Sequence, residues 1–514
     1  MRRSQLRAAV PTMVALSAGL ALAHPLLAQG AGLPAELDAY VAQSLQDWDV
    51  PGAALAVVKD GEVVAVKGYG VRELGKAARV DAATIFDTAS LTKAFTAAAI
   101  ATLVDEGKLS WDEPVHHYLP ALEFSSPYLT ETLTLRDLLS HRTGIKNNSA
   151  WYFGNLSHDE LIATFRHLEP QTPFRAKWNY SNIGYQAAAE VARAVSGLSW
   201  EDLVTQRILE PLGLECTIAN FDDVPNHKNY ASPHEVIDGV QRVVPRETAR
   251  MSTSAAGGVQ ACTADLATWM LFQLGDGTWK GKRIVSVEAM HEMQSAQINV
   301  PTTAAFRTAR QVRHTVAYGF GWQIWDYRGH WFLWHTGSGD GQSAYVALLP
   351  DEKIGVAFVI NSWKQGGSAF NVYLVSRILD YYLGEPTKDY LAEYKESRLK
   401  SLQRDEDERR ALQEARPKKP RASLPLSAYA GGYKDKLGIG ISVVIEKDAL
   451  VLQYGHGQKG RLEHWDGDTF RVRWESPVAD SRMTFISFAP DEQGKVDKLH
   501  MRAFGEDIDA AASR

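Results

Sequence analysis

Only two cysteines, Cys216 and Cys262, occur among 514 residues. That excludes a small domain stapled by several disulfides and a four-cysteine zinc site, leaving room for one bridge at most. Spacing alone does not say whether the two meet. Nor is there an excess of positive charge, since 55 Lys and Arg stand against 61 Asp and Glu, a net charge of −6. Without a basic stripe interleaved with aromatics, nucleic acid is not an expected partner. The chain also lacks a GxxxxGK phosphate loop, an HExxH zinc motif and an EF-hand loop, so no metal or nucleotide cofactor is expected.

Long apolar runs are scarce as well. The longest at the start, Met13 to Ala23, is broken by His24 and Pro25 and falls short of the roughly 20 residues a membrane span needs. It follows Arg2, Arg3 and Arg7 and precedes a small-residue stretch ending near Ala28, the layout of an export signal over residues 1–28. A secreted or periplasmic protein with no stable span after cleavage is the expectation.

What is present is a chain that is 45% hydrophobic and 23% charged, enough to bury a large core and more than one domain. Ala53 to Lys67 reads as two strands joined by Asp60-Gly61, and Ser343 to Ile360 as a second strand pair turning at Pro350 to Lys353. Between them the pattern is mainly helical: Ala94 to Val104 is apolar nearly all round, and Thr134 to Arg142 and Thr263 to Leu274 each begin at a capping Thr. The expected fold is α/β (α+β): an antiparallel sheet, with edges drawn from both ends of a domain at 33–385, flanked by helices. Dense mixed charge marks a helical linker at 386–422, and residues 423–508 switch to period two, the mark of a small antiparallel β-barrel or sandwich.

Serine attacks an acyl group only when a neighbouring base takes its proton. In Ser90-Leu-Thr-Lys93 the two side chains share a helix face, and a desolvated lysine becomes such a base. The same spacing recurs at Ser397 and Lys400 in the charged linker, where solvated side chains are expected. Only the first copy is followed by Tyr180-Ser-Asn182 and then His335-Thr336-Gly337-Ser338.

That ordered triplet resembles the serine β-lactamase and penicillin-binding-protein superfamily, and its tyrosine form the class C β-lactamases with their esterase and D-aminopeptidase relatives. The resemblance extends to Leu139-Ser-His-Arg-Thr-Gly144, Pro211-Leu-Gly-Leu214 and Ala256-Gly-Gly258, and Leu426 to Tyr433 resembles the opening of the lipocalin-like β domain carried by one branch. It implies that Ser90 is acylated, that Lys93 and Tyr180 share general-base duty with Tyr180 protonating the leaving group, and that Asn182, His335, Thr336, Gly337 and Ser338 bind substrate. The backbone N–H groups of Ser90 and Ser338, the latter following an edge strand Trp331 to His335, would form the oxyanion hole. Arg142-Thr143-Gly144 precedes Tyr180 and is set aside. Histidine at 335, where β-lactamases usually carry lysine, weakens recognition of a β-lactam carboxylate. The expected activity is that of a peptidase or amidase on small peptides, D-amino-acid-containing ones included; a carboxylesterase or β-lactamase using the same site and a non-catalytic peptide- or cell-wall-binding protein are the alternatives. Trp151, Tyr152, Trp178 and Trp363 are candidates for an aromatic lining.

Overall fold

The structure, a computed structural model, describes residues 32–145, 154–237, 239–246, 254–303, 312–339, 341–363, 367–386, 388–418, 420–480, 483–503 and 506–513. The export signal, Trp151 and Tyr152 lie outside the described residues.

The two expected hairpins form and meet. Strands β1 (Gly52–Lys59) and β2 (Glu62–Gly70) turn at Asp60-Gly61, both with positive φ, as a tight two-residue turn requires. The later strands are β3 (Ile298–Asn299), β4 (Val312–Tyr318), β5 (Gln323–Tyr327), β6 (His330–Gly339), β7 (Gln342–Leu349) and β8 (Ile354–Ile360). They assemble in the order β2-β1-β8-β7-β6-β5-β4-β3, an antiparallel sheet in which β1 pairs with β8 from Ala53–Ile360 to Lys59–Ile354. The edges are therefore β2 and β3, and β6, expected at an edge, lies inside the sheet. Its last residues are different: the β5 pairing stops at Trp334, so Thr336 to Gly339 are laddered on the β7 side alone.

Both faces of the sheet are covered, which explains why β1, β7 and β8 read as nearly continuous apolar runs. Ala53, Leu55 and Val57 point to one core with α1 (Ala35–Asp47) and a late helix, Gly367–Tyr382. Ala54, Ala56 and Val58 point to the larger core, which holds α2 (Thr92–Asp105), α3 (Asn182–Ser196) and α4 (Thr263–Leu274). Every residue of α2 from Thr92 to Leu103 is buried, in keeping with a sequence apolar on all sides.

Gly367–Tyr382 becomes α5, and the charged segment forms α6 (Tyr390–Glu414), anchored by Tyr390 and Leu391 and otherwise largely solvated. Lys400 on α6 pairs with Glu396, both exposed, so the second Ser-x-x-Lys is a solvated helix face. Beyond it, eight strands from Gly431–Asp435 to Glu506–Ala512 close into a barrel. Those first and last strands pair with each other, Tyr433 with Ala512 and Lys434 with Ala511. Neither alternates apolar and polar residues clearly, one being Gly-rich and the other Asp- and Ala-rich, which is why periodicity misses them.

Candidate active site

The nucleophile segment is held from both sides before any chemistry is considered. Asp87 accepts from the N–H of Ala89 at 2.8 Å and from the Gln260 amide at 3.0 Å, while the Thr88 hydroxyl donates to the Val259 carbonyl at 2.6 Å. These ties keep Ala89 at φ +42°, a left-handed conformation costing about 1–2 kcal/mol for a residue with a Cβ. The turn presents Ser90 just before α2 begins. Two glycines allow the sheet to reach it: a Cβ on Gly337 would lie 1.9 Å from the Thr88 carbonyl oxygen, and one on Gly321 would lie 2.5 Å from the Ala94 nitrogen. Gly337 is thus packed against Thr88 to Ser90, where a Cβ built on it would also lie 3.3 Å from the Ser90 backbone nitrogen.

Ser90, Lys93 and Tyr180 come together. The Lys93 Nζ lies 3.0 Å from Ser90 Oγ and donates to the Ala256 carbonyl at 2.9 Å; the Tyr180 hydroxyl donates to Ser90 Oγ at 2.9 Å. The Lys93 side chain is wholly buried, and burial pushes its amine well below the ordinary lysine range, so the neutral form is favoured. Its Nζ also sits 4.8 Å from the centre of the Tyr180 ring. Burial among aromatic neighbours pushes the Tyr180 phenol upward, opposed by its bond to Ser90, so Tyr180 rests protonated as a proton donor. The electrostatics therefore separate two roles that the resemblance left shared: Lys93 is the group able to accept the serine proton, and Tyr180 the group able to deliver one.

His335 is buried beside them and uses both ring nitrogens. Nδ1–H donates to the Thr336 carbonyl at 2.6 Å, and Nε2 lies 3.1 Å from the Tyr318 hydroxyl. Burial pushes its pKa down to about 3, so the ring is neutral at physiological pH. Ser338 is exposed at the strand end, its hydroxyl 3.0 Å from that of Ser368, and Asn182 opens α3 two residues past Tyr180. Arg142-Thr143-Gly144 lies in a turn after the helix Leu135–Leu139, away from any strand.

Sequence reasoning missed the layer behind Tyr180. His141, expected only as the end of a helix, instead leaves it with φ +62° and packs its ring among Tyr180, Trp178, Tyr185 and Tyr318. Its place in Leu139 to Gly144 was the available signal. Of the four candidate aromatics, Trp178 joins this layer, whereas the Trp363 backbone N–H donates to the His234 carbonyl. Cys216 and Cys262 form a disulfide, with Asp265 beside them accepting from the Cys216 N–H and the Thr217 hydroxyl. Burial raises Asp265 to about 6.

A sheet sandwiched between helical layers, with a buried lysine and a tyrosine converging on a serine at the start of a helix, defines the class of serine acyl-transfer enzymes. Residues 37–376 match the family model described as Beta-lactamase, and the chain belongs to that family as a serine hydrolase. Residues 415–512 match a domain of unknown function, DUF3471. The unguisins hydrolase ungD' of Aspergillus campestris is 28% identical over 417 residues, covering 76% of this chain and 74% of that protein. Protein flp of Staphylococcus aureus is 26% identical over 377 residues, 70% of each. Among solved structures, the octameric penicillin-binding protein homologue from Pyrococcus abyssi aligns with TM-score 0.59 and 23% identity over 92% of this chain and 99% of its own. SurE aligns with TM-score 0.56 and 22% identity, over 93% and 98%.

Proposed function

We propose that the protein is an exported amidase or peptidase acting on short peptides through an acyl-Ser90 intermediate. The observation that carries this reading is the convergence of Lys93 Nζ and Tyr180 Oη on Ser90 Oγ, at 3.0 and 2.9 Å. As Oγ bonds to the scissile carbonyl carbon, its proton passes to neutral Lys93. The C–N bond then breaks and Tyr180 gives its proton to the departing nitrogen. The Lys93 ammonium so formed, next to the Tyr180 ring, stabilises the phenolate. Water then attacks the acyl ester as the Tyr180 phenolate takes its proton, and the Lys93 ammonium returns one to Ser90 Oγ as the ester C–O bond breaks, which restores all three groups.

Relatives named unguisins hydrolases support a peptide-like substrate. Neutral His335 offers no fixed charge to a β-lactam carboxylate, which favours peptides and esters over β-lactams. Export is supported by the basic-then-apolar start and by the disulfide, which persists in an oxidising compartment.

The restriction to short substrates rests on the barrel. Its His456 N–H donates to the Gly154 carbonyl at 2.8 Å and His456 Nε2 lies 3.1 Å from both Glu160 oxygens, on the segment following His141 to Ile145. Its short helix Pro477–Asp480 packs against His234–Ile237, whose His234 N–H donates to the Gly341 carbonyl in the turn after Ser338. The barrel thus touches segments leading from both sides of the site. Incubation with a fluorophosphonate, p-nitrophenyl esters, D- and L-amino-acid amides and a chromogenic cephalosporin tests the reading. Ser90 labelling with amide and ester turnover is expected; a Ser90→Ala protein that labels and turns over like the parent refutes it.

A further inference from the structure

His141 does nothing in the chemistry above, yet it is wholly buried within that site and holds an uncommon backbone conformation, φ +62°. Its contacts explain why. The His141 carbonyl accepts from the Asn179 N–H at 2.8 Å, and its Nδ1 accepts from the Ser181 N–H at 3.1 Å. One residue therefore grips the chain immediately before and immediately after Tyr180. The grip is extended by the Arg175 N–H on the Arg142 carbonyl at 2.8 Å and the Gln171 N–H on the Gly144 carbonyl at 2.9 Å. Because Nδ1 accepts a hydrogen bond, the ring proton sits on Nε2. The ring face meets Tyr180 at 4.5 Å and Tyr318 at 4.6 Å between centroids, and the Tyr318 hydroxyl in turn reaches His335.

We infer that His141 is the positioning residue for Tyr180: through its carbonyl and Nδ1 it sets the height of the Asn179 to Ser181 segment, and through its ring the tilt of the phenol toward Ser90 Oγ. This inference rests on the proton-donor role given to Tyr180. Burial holds the His141 ring neutral, which keeps Nδ1 available as an acceptor. It follows that His141 acts on the step in which Tyr180 moves a proton and little on substrate affinity.

The test uses the full-length protein and three substitutions. His141→Gly accommodates the positive φ but removes the acceptor and the ring. His141→Asn keeps an acceptor at the Nδ1 position and also tolerates the left-handed backbone. The expected result is a fall of about 100-fold in kcat for His141→Gly with KM nearly unchanged, the scale of a misplaced catalytic group. His141→Asn should recover about tenfold of that loss, the value of one restored hydrogen bond to a buried N–H. In a Tyr180→Phe background His141→Gly should have almost no further effect, because both act through one hydroxyl. Multiplicative losses, a KM effect without a kcat effect, or an Asn variant no better than Gly would overturn the inference. Failure of the Tyr180 role itself is read separately, as a Tyr180→Phe protein with unchanged kcat.

Discussion

The Tyr180 hydroxyl donates to Ser90 Oγ at 2.9 Å across 90 residues of sequence, while burial keeps the phenol protonated. In the proposed mechanism the tyrosine therefore enters the reaction as an acid. Replacing it with Phe removes the donor without altering the ring packing, so kcat should fall about 10²–10⁴-fold with small change in KM. Esters with good leaving groups should suffer less than amides, since a p-nitrophenolate departs without a proton. Steady-state rates on a matched ester and amide check this; equal losses would argue against the acid role.

Lys93 must be neutral to accept the Ser90 proton, so kcat/KM should fall on acidification as a single group becomes protonated. Lys93→Arg, charged at all accessible pH, should be inactive and gain nothing from alkaline buffer. The stability consequence has a definite sign. Burial lowers the Lys93 pKa below its unfolded value, so between the two the unfolded chain binds the extra proton and stability rises with pH. Lys93→Met should thus be inactive yet more heat-stable than the parent near neutrality, with the gap closing toward pH 10. Calorimetric melting of both proteins at several pH values measures it.

With a pKa near 3 and both nitrogens engaged, His335 should contribute no ionisation to the rate between pH 5 and 8. His335→Asn should lower activity without changing the shape of the pH profile. A parental inflection near 6.5 that vanishes in the variant would contradict the neutral assignment.

Cys216 and Cys262 close a loop of 46 residues, and Cys262 follows Gln260 and Ala261, which pair with Asp87 and Phe86 beneath the nucleophile turn. Replacing both cysteines by Ala should cost about 2–4 kcal/mol of stability. Thermal melting with and without reductant should show the parent falling toward the variant, and the variant itself unaffected.

At the barrel contact, a Cβ on Gly455 would lie 2.3 Å from the Gly154 carbonyl oxygen. Gly455→Val should loosen the barrel from that segment and raise the rate on longer peptides relative to dipeptide amides. Faster hydrogen exchange at Leu156 to Thr164 would report the loosening; unchanged selectivity despite it would count against the barrel as a limit on substrate size.

The sequence alone determined the elements whose signals are local. Asp60-Gly61 specifies its hairpin because two consecutive positive φ values suit few other pairs, and the all-round apolar Ala94 to Val104 admits only a buried helix. It also singled out Ser90, Lys93 and Tyr180, which the fold brings within hydrogen-bonding distance, since an ordered set of motifs carries information that each motif lacks. Tertiary structure decided what depends on contacts between distant segments. The chain places β1 beside β8, turns His141 out of its helix to grip both sides of Tyr180, and closes the barrel with two strands that have no clear period. Protonation was decided at the same level. A lysine, a tyrosine and a histidine have ordinary affinities for protons until burial removes the water that would solvate their charges. Only the folded surroundings could lower the proton affinities of Lys93 and His335 and raise that of Tyr180.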